Sequence, residues 1–326
     1  MIQPTHAALL DVLRSIPGLV LRENVPLAQL TRFAIGGPAD VLAETGDPRA
    51  FVEAIQACRR AGAPFYVIGD GSNLVVSDRG YRGVVLRFAA RDLGAEGTHI
   101  VADAGAPLQE LVDFSIGRGL AGLETLTGIP GSVGAAVYGN AGAYGHSISE
   151  RVSRVEVFDG EALREFANAD CRFEYRESIF KKHKDWMILR AHLDLTPGDA
   201  AALRRRADEI RKVRDEKFPP AMKCAGSIFK NLLVAELPAA VVAAIPAEAI
   251  REGKVASAYF LDQVGAKGTA RNGIQVADYH ANLIYNSGSG TAADLRAVIA
   301  ELRGRVQERF GITLEEEVQY LGDWQS

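Results

Sequence analysis

The sequence predicts an α+β protein of two or three domains. Its 326 residues exceed the length of roughly 250 to 300 residues at which a single hydrophobic core stops growing. Residues 39–44, 48–61 and 65–69 carry in turn the signals of a strand, a helix and a strand, which form a β-α-β pattern. Residues 151–195 contain mainly strand-like runs. Helices and strands are therefore expected throughout, in more than one compact part.

The remaining elements follow from hydrophobic periodicity and from glycine, proline and capping residues. Further helices are predicted at residues 5–14, 107–118, 178–185, 199–217, 234–250 and 291–310. Further strands are predicted at residues 84–89, 99–105, 154–159, 162–167, 187–195 and 273–286. The charged helix 199–217 suits a solvated connection between domains. Thr291 is placed to cap the last helix and Gly311 to end it. The predicted domains are residues 1–84, 85–215 and 216–326.

Composition excludes several classes of protein. The formal net charge of -4 argues against general affinity for nucleic acids, which depends on clustered lysine and arginine. Three widely separated cysteines fit neither a disulfide framework nor a paired-cysteine zinc site, so free thiols and a reducing compartment are expected. No basic N-terminal leader and no run of about 18 apolar residues occurs. We therefore expect a cytoplasmic protein with no membrane segment; the oligomeric state is not indicated.

A first glycine-containing segment joins two apolar runs at residues 67–76. Glycines there permit positive φ angles, and successive N–H groups in such a turn form a concave site for an anion such as a pyrophosphate. An ordinary hairpin turn is the alternative. The candidate cofactor-binding residues are Ile68, Gly69, Asp70, Gly71, Ser72 and Asn73.

A second segment, residues 128–145, is rich in glycine and alanine and has no charged side chain. Such a loop is a poor solvated linker, and we expect it to let the backbone lie close to a large flat ligand. A buried structural turn is the alternative. Neither segment has the pattern of a Walker loop or of a Rossmann glycine motif. The candidate cofactor-binding residues are Gly128, Ile129, Pro130, Gly131, Ser132, Gly134, Ala135, Gly139, Asn140 and Gly142.

Six short segments, taken in order, resemble one family of flavoproteins. They are TRFAIGGPA (31–39), IGDGSNLVVSDRGYRG (68–83), GIPGSVGAAVYGNAGAYG (128–145), FEYRESIF (173–180), CAGSIFKN (224–231) and LEEEV (314–318). Two separated glycine loops resemble the FAD module of the vanillyl-alcohol-oxidase-like superfamily. The whole set is similar to the UDP-N-acetylenolpyruvoylglucosamine reductase family, over residues 20 to 322.

This resemblance implies a fold and an activity. It implies two FAD-binding subdomains, residues 1–84 and 85–215, followed by an α+β substrate-binding domain, residues 216–326. FAD would be bound non-covalently, because residues 64–83 contain no histidine or cysteine for attachment. The implied reaction reduces UDP-N-acetylglucosamine enolpyruvate to UDP-N-acetylmuramate, with NADPH as the cosubstrate. The runner-up interpretations are another FAD oxidoreductase of the superfamily and a catalytically silent nucleotide-binding protein.

The resemblance also assigns three catalytic residues. Arg176 would stabilise the substrate carboxylate, because its planar fork gives charge-assisted hydrogen bonds. Ser227 would give a proton to the substrate, supported by Lys230, Glu317 or a water. Glu317 would be a second electrostatic partner. The alternatives are a surface arginine, a helix-capping serine and a solvated acidic turn, the last suiting Glu315 and Glu316 better than Glu317.

Substrate binding is implied for five residues, and two departures set this chain apart. The substrate-binding residues are Tyr175, Arg176, Lys217, Asn231 and His280. His280 and Tyr175 have structural roles as their alternatives. Leu232 stands where the family has proline, and a longer alanine-rich stretch follows it. No tyrosine lies between Tyr175 and Tyr259, so the chain resembles the subgroup without a tyrosine-bearing lid loop.

Overall fold

The computed structural model describes residues 4–324 and divides them into two compact units. What we call the N-terminal unit comprises the chain up to Val25, Ala39–Asp70 and Arg82–Glu216. The C-terminal unit comprises Pro26–Pro38, Gly71–Tyr81 and the chain from Lys217 onward. Two short segments from the first quarter of the sequence thus belong to the C-terminal unit.

Both units combine helices and strands. The α-helices are α1 (Pro4–Ser15), α2 (Pro48–Arg60), α3 (Leu108–Gly117), α4 (Val133–Tyr138), α5 (Ile179–Lys182), α6 (Ala200–Lys217), α7 (Ala239–Ala243), α8 (Ser257–Gln263) and α9 (Ala292–Phe310). The first strands are β1 (Val20–Pro26), β2 (Pro38–Thr45), β3 (Phe65–Ile68), β4 (Leu74–Val76), β5 (Tyr81–Phe88), β6 (Leu93–Glu96), β7 (His99–Asp103), β8 (Leu120–Ala121), β9 (Gly142–Ala143), β10 (His146–Ser147) and β11 (Val152–Phe158). The others are β12 (Leu163–Ala167), β13 (Met187–Asp194), β14 (Thr196–Pro197), β15 (Lys223–Ser227), β16 (Leu232–Leu233), β17 (Ile250–Arg251), β18 (Lys254–Val255), β19 (Ala270–Arg271), β20 (Ile274–Ala277), β21 (His280–Asn286) and β22 (Gln319–Leu321).

The N-terminal unit has two main sheets, each with its own hydrophobic core. One sheet has the strand order β1-β2-β5-β3, and buried residues of α1 and α2 belong to its core, among them Leu13, Phe51 and Ile55. The other has the order β12-β11-β13-β7-β6 and is antiparallel. Its core takes in residues of α3, α4 and the apolar face of α6, including Leu203 and Ala207. One face of the charged helix α6 is therefore buried against this core, and only its other faces are exposed to solvent.

The C-terminal unit is built on the sheet β15-β21-β20-β19, with α8 and α9 contributing to its core. Strand β22 pairs in parallel with β4, so the early segment Gly71–Tyr81 is joined to the end of the chain. In the same segment the Asp78 carboxylate accepts the N–H groups of Ala292 and Ala293 at the start of α9, at 2.8 and 2.9 Å. Thr291 caps α9 and Gly311, with φ of 68°, ends it, as predicted.

The structure confirms most predicted elements and corrects several. The β-α-β elements appear as β2, α2 and β3, with β5 lying between the two strands in the sheet. The hairpin alternative for residues 67–76 is wrong, because β3 pairs with β5 whereas β4 pairs with β22. Residues 128–145 are not one loop, since they contain α4 and the β9-β10 hairpin. The helices predicted at 234–250 shrink to α7, which lies between Pro238 and Pro246.

Two smaller expectations can be compared with the described residues. Cys58, Cys171 and Cys224 are all free, as expected, and the structure also buries them. Burial raises the pKa of Cys58 to about 11 and that of Cys171 to about 12. Within residues 4–324, no helix is long and apolar enough to cross a membrane. The finer division of the chain at residues 84 and 215 stays a prediction.

Candidate active site

The two glycine segments meet inside the N-terminal unit. A Cβ atom on Gly69, which follows β3, would lie 2.9 Å from Ser132 Oγ and 3.7 Å from Ala135 Cβ. Ser132 caps α4, because its Oγ accepts the N–H of Ala135 at 3.3 Å. A larger residue at position 69 would have to displace the Ser132 hydroxyl that caps α4, so glycine here lets the end of β3 lie close to the start of α4.

Helix α4 is itself held close to a strand end by a glycine. The N–H of Gly134 donates to the carbonyl of Ala104 at 2.8 Å, and that of Val133 donates to Ala106 at 2.8 Å. A Cβ on Gly134 would lie 2.8 Å from the Ala104 Cβ. The small residues here therefore serve close backbone packing.

The other predicted residues of the second segment lie around α4. The N–H of Gly128 donates to Gln109 Oε1 at 2.8 Å, and the carbonyl of Gly131 accepts the N–H of Leu108 at 2.8 Å. Ile129 donates its N–H to the carbonyl of Leu126 at 3.1 Å. Pro130 continues the segment, Gly139 ends α4, and Gly142 begins β9. This segment is thus fixed on both sides of α4.

The first glycine segment continues into the C-terminal unit at Gly71. Gly71 has φ of 59°, and a Cβ on it would lie 1.8 Å from the carbonyl oxygen of Leu30. Its own carbonyl accepts the N–H of Arg32 at 3.2 Å. Ser72 is half-buried beside it. Glycine is required at position 71 for both its conformation and its space.

Two side chains expected to face a cofactor have partners within the protein. The Asp70 carboxylate forms an ion pair with Arg87 at 3.2 Å. The Asn73 amide donates to the carbonyl of Glu317 at 2.8 Å, and the N–H of Gln319 donates to the carbonyl of Asn73 at 2.9 Å. Asn73 thus ties the first glycine segment to Glu317.

Arg176 lies at the tip of a tight turn fixed to the second glycine segment. The N–H groups of Glu174 and Glu177 each donate to the other's carbonyl, at 3.1 and 3.2 Å. Asn140 Nδ2 donates to the carbonyl of Glu174 at 2.8 Å. Arg176 Nη2 donates to the carbonyl of Gly142 at 3.0 Å. The surface-arginine alternative therefore does not describe its bonding, since the half-buried side chain is held at a defined place.

The remaining bonds of this turn come from the start of α5 and from the neighbouring ring. Ser178 Oγ donates to the carbonyl of Tyr138 at 2.7 Å, and Lys181 Nζ donates to the carbonyl of Arg176 at 2.7 Å. The Arg176 guanidinium carbon lies 5.4 Å from the centre of the Tyr175 ring. Tyr175 is half-buried, so it does not fill the core.

Ser227 and Glu317 are brought together in the C-terminal unit. The chain just after Ser227 pairs with the segment that ends in Glu317: the Glu317 N–H donates to the carbonyl of Ile228 at 2.7 Å, and the Lys230 N–H donates to that of Glu315 at 2.9 Å. Phe229 forms an antiparallel bridge with Glu316. Ser227 ends β15, so the helix-capping alternative is wrong.

The side chains of the acidic run differ from the expectation at one position. Glu315 is exposed, at 71% of its side chain, and its Oε1 lies 2.6 Å from the nearly buried Lys230 ammonium. Glu316, expected to be solvated, has only 17% of its side chain exposed. It pairs with Arg303 at 2.7 Å and accepts a hydrogen bond from the Tyr320 hydroxyl. Its packing against α9 explains this error.

Lys217 and His280 are neighbours in the C-terminal unit. Burial, with the Lys217 ammonium as the next cause, lowers the pKa of His280 to about 4. The His280 Nδ1 accepts the N–H of Asn282 at 3.1 Å. At neutral pH the ring is therefore uncharged and carries its proton on Nε2. Asn231 is exposed just before β16, at the start of the segment that includes α7.

Sequence reasoning missed Asn282, a buried residue that contacts the chain after Ser227. Its side chain bonds to Ile228 and Phe229. Asn282 lies between the apolar Ala281 and Leu283 in the run HANLIYN, and a polar residue at such a place is the sequence signal that could have identified it.

We predict that alanine at Gly71 is much more destabilising than alanine at Gly62. Both glycines have nearly the same positive φ, 59° and 60°, so both substitutions pay the left-handed backbone cost of about 1 kcal/mol. A Cβ on Gly62 meets no atom within 4 Å, whereas one on Gly71 would overlap the Leu30 carbonyl. Thermal unfolding of the two variants tests this. Equal loss of stability would contradict the packing argument.

The lowered pKa of His280 predicts a pH-dependent stability. In the unfolded chain its pKa is near the ordinary 6.5, and in the folded chain it is about 4. The unfolded state therefore binds more protons between these values, and this residue's share of stability is lost as pH falls from 6.5 towards 4. Urea unfolding across this range should show a shallower pH dependence for His280→Asn. The matched control is His146→Asn, because the His146 side chain is exposed at the start of β10. Identical curves for His280→Asn and the unmodified chain would be the contradictory outcome.

Comparisons with known proteins agree with this arrangement. A family model described as UDP-N-acetylenolpyruvoylglucosamine reductase, C-terminal domain, matches residues 218–321, and one described as FAD binding domain matches residues 39–163. The predicted fold class, an FAD-binding module followed by a C-terminal α+β domain, is thereby confirmed.

Individual relatives extend the likeness to nearly the whole chain. The UDP-N-acetylenolpyruvoylglucosamine reductase of Solibacter usitatus is 62% identical over 310 residues, covering 95% of this chain and 99% of the relative. That of Caldanaerobacter subterraneus subsp. tengcongensis is 35% identical, covering 92% and 93%. The crystal structure of the reductase (MurB) from Thermus caldophilus has 30% identity and a TM-score of 0.72, covering 93% of this chain and all 100% of that chain. This chain therefore belongs to the UDP-N-acetylenolpyruvoylglucosamine reductase family.

Proposed function

We propose that this chain reduces UDP-N-acetylglucosamine enolpyruvate to UDP-N-acetylmuramate in peptidoglycan precursor synthesis, with FAD and NADPH. The observation that supports this best is the pairing of residues 228–230 with residues 315–317, which places Glu317 beside the chain that follows Ser227. The balanced reaction consumes NADPH and one proton and yields NADP⁺ and the reduced sugar. A hydride adds to the terminal carbon of the enolpyruvyl group, and a proton adds to C2.

FAD fits the residues around the two glycine segments. The FAD binding domain model spans residues 39–163 and so includes both segments up to residue 145. Gly69 and Gly134 let the two segments pack closely, and the segment 128–145 has no charged side chain. The holding residues would be Ile68, Gly69, Asp70, Gly71, Ser72, Asn73, Gly128, Ile129, Pro130, Gly131, Ser132, Gly134, Ala135, Gly139, Asn140 and Gly142. When bound without a covalent link, FAD supplies the hydride that NADPH provides.

Arg176 is proposed to bind the substrate carboxylate. Charge develops on that carboxylate as the hydride adds to the double bond, so a fixed guanidinium stabilises the transition state more than the ground state. The bond to Gly142 uses one guanidinium nitrogen and holds the group in place. The side chain needs little reorganisation during the reaction.

Ser227 is proposed to give the proton to C2, with Glu317 as its electrostatic partner. A serine hydroxyl is a weak acid in water, so it needs a fixed place and a group that restores its proton. Lys230 is less suited to that task, because its ammonium is engaged by Glu315 at 2.6 Å. Glu317 remains the better partner, since its main chain is one hydrogen bond from the residue after Ser227.

The remaining substrate contacts are proposed for Tyr175, Lys217, Asn231 and His280. The Lys217 ammonium suits a diphosphate, whereas the neutral His280 offers its Nε2 proton as a hydrogen-bond donor without a charge. We also propose that the enzyme works in the cytoplasm and belongs to the subgroup without a tyrosine-bearing lid.

Replacement of Ser227 tests the proposed function. In Ser227→Ala the NADPH-driven loss of flavin absorbance should stay within about twofold, whereas its return on adding the enolpyruvyl sugar should slow by roughly 100-fold or more. Anaerobic rapid mixing measures the two steps separately. The matched control is Ser289→Ala, an exposed serine of the same unit. Equal loss of both steps would remove Ser227 from the reaction.

Replacement of Arg176 by lysine tests the carboxylate contact. The charge is kept but the planar fork is lost, so turnover should fall by about 10 to 100-fold. Arg172→Lys is a matched control, because Arg172 also has a positive φ, 47° against 57° for Arg176, and it is exposed. Steady-state rates of NADPH oxidation by the two variants and the unmodified chain test this expectation. Unchanged turnover in Arg176→Lys would exclude the assignment.

A further inference from the structure

We infer that Asn282 is a positioning residue that fixes the main chain next to Ser227 and the ring of His280 at the same time. This inference rests on the proposed function of Ser227. Asn282 lies within β21 and is 2% exposed. The side chain of Asn282 is an uncharged amide, so Asn282 acts through hydrogen bonds.

The side chain of Asn282 uses its full bonding capacity. Its Oδ1 accepts the N–H groups of Ile228 at 3.2 Å and Phe229 at 2.9 Å. Its Nδ2 donates to the carbonyl of Phe229 at 2.8 Å and to Ser257 Oγ at 2.7 Å. Ser257, itself buried, donates to the same Phe229 carbonyl at 3.2 Å. Two side chains thus bond to the two residues that follow Ser227.

The backbone needs this help because β15 is irregular where it ends. The ladder with β21 is interrupted between Cys224 and Ser227, and Gly226 has φ of 78°. Ser227 lies opposite Leu283, and the next residues leave the sheet to pair with the segment around Glu316. Buried N–H groups without a partner are costly, and where the ladder ends the Asn282 Oδ1 accepts the N–H of Phe229 at 2.9 Å and is a second acceptor for that of Ile228 at 3.2 Å.

The main chain of Asn282 fixes a second candidate group. Its N–H donates to Nδ1 of His280 at 3.1 Å, which determines the orientation of the ring and leaves the proton on Nε2. Its carbonyl accepts the N–H of Ile228 at 3.1 Å. The same residue thus connects the proposed proton donor with a proposed substrate contact.

The ordering of Ser227 therefore depends on a residue that touches no substrate in this proposal. A displacement of about 1 Å in a reacting group can cost about 100-fold in rate. Loss of the Asn282 amide should accordingly slow proton delivery. It should leave the earlier step, in which NADPH reacts, unaffected.

The test uses the FAD-loaded full chain and the variant Asn282→Leu, which keeps the side-chain size. Flavin bleaching by NADPH should stay within about twofold, whereas flavin return on adding the enolpyruvyl sugar should slow by about 10 to 100-fold. In D₂O the slowing of that return should exceed the slowing seen with the unmodified chain, because proton transfer then limits the rate. Ser257→Ala should slow flavin return and raise its D₂O effect in the same direction, but to a smaller extent. If Asn282→Leu does not fold, the Ser257→Ala variant provides the test.

The matched control is Asn286→Leu on the same strand. Asn286 is 4% exposed and its side chain makes three bonds, to the Phe33 carbonyl at 3.0 Å and from the N–H groups of Gly288 and Gly290 at 2.9 and 3.0 Å. Its loss should lower the unfolding temperature comparably, with flavin return and its D₂O effect unchanged.

The outcomes separate the inference from the proposed function. If the unmodified chain shows no flavin return with this sugar, the proposed function fails and the inference fails with it. If the unmodified chain reacts and Asn282→Leu matches Asn286→Leu in both rate and D₂O effect, only the inference is overturned. Slower return with an unchanged D₂O effect also overturns it, because that result indicates a general structural defect.

Discussion

The structure of the C-terminal unit depends on a short backbone pairing, in which residues 228–230 form hydrogen bonds with residues 315–317. Two N–H groups and two carbonyls make this pairing, and it joins the end of β15 to the chain just before β22. Strand β22 in turn pairs with β4 from the first quarter of the sequence. Three parts of the chain that are far apart in sequence therefore converge near Ser227 and Glu317. Main-chain bonds bring these parts together, and the side-chain amides of Asn73 and Asn282 add bonds to the same backbone.

This constraint explains why sequence reasoning found the elements more easily than their partners. Thr291 and Gly311 are local signals, and they bound α9 as expected. The segment 67–76 looked like a possible hairpin because two apolar runs flank a turn. Pairing of β4 with β22 is a contact between residues about 245 positions apart, and no local pattern encodes it. The shortening of the helices around α7 was visible in principle, since prolines stand on both sides.

In the candidate site, too, sequence reasoning identified individual residues more easily than the residues that bond to them. Ser227, Glu317 and Arg176 were found through ordered short segments, whereas the residues that hold them were not. Asn282 lies in a strand between Ala281 and Leu283, and its pattern alone gives no partner. Asn140 was assigned to the cofactor, but its side chain also bonds to the Glu174 carbonyl and so supports the turn that carries Arg176. A supporting residue is recognised only when its bonds are seen.

The turn at Arg176 illustrates how a costly conformation is kept. A φ of 57° disfavours any residue other than glycine, by about 1 to 2 kcal/mol for one with a side chain. Glycine would relieve this strain but would remove the guanidinium. The strain persists because the surrounding bonds outweigh it: the paired Glu174 and Glu177, the amide of Asn140 and the ammonium of Lys181 all act on the main chain of this turn. Backbone strain of this kind is found where surroundings over-determine a residue whose side chain has a task. The second glycine segment thus has two roles, since its backbone lies close to its neighbours and its carbonyl at Gly142 orients Arg176.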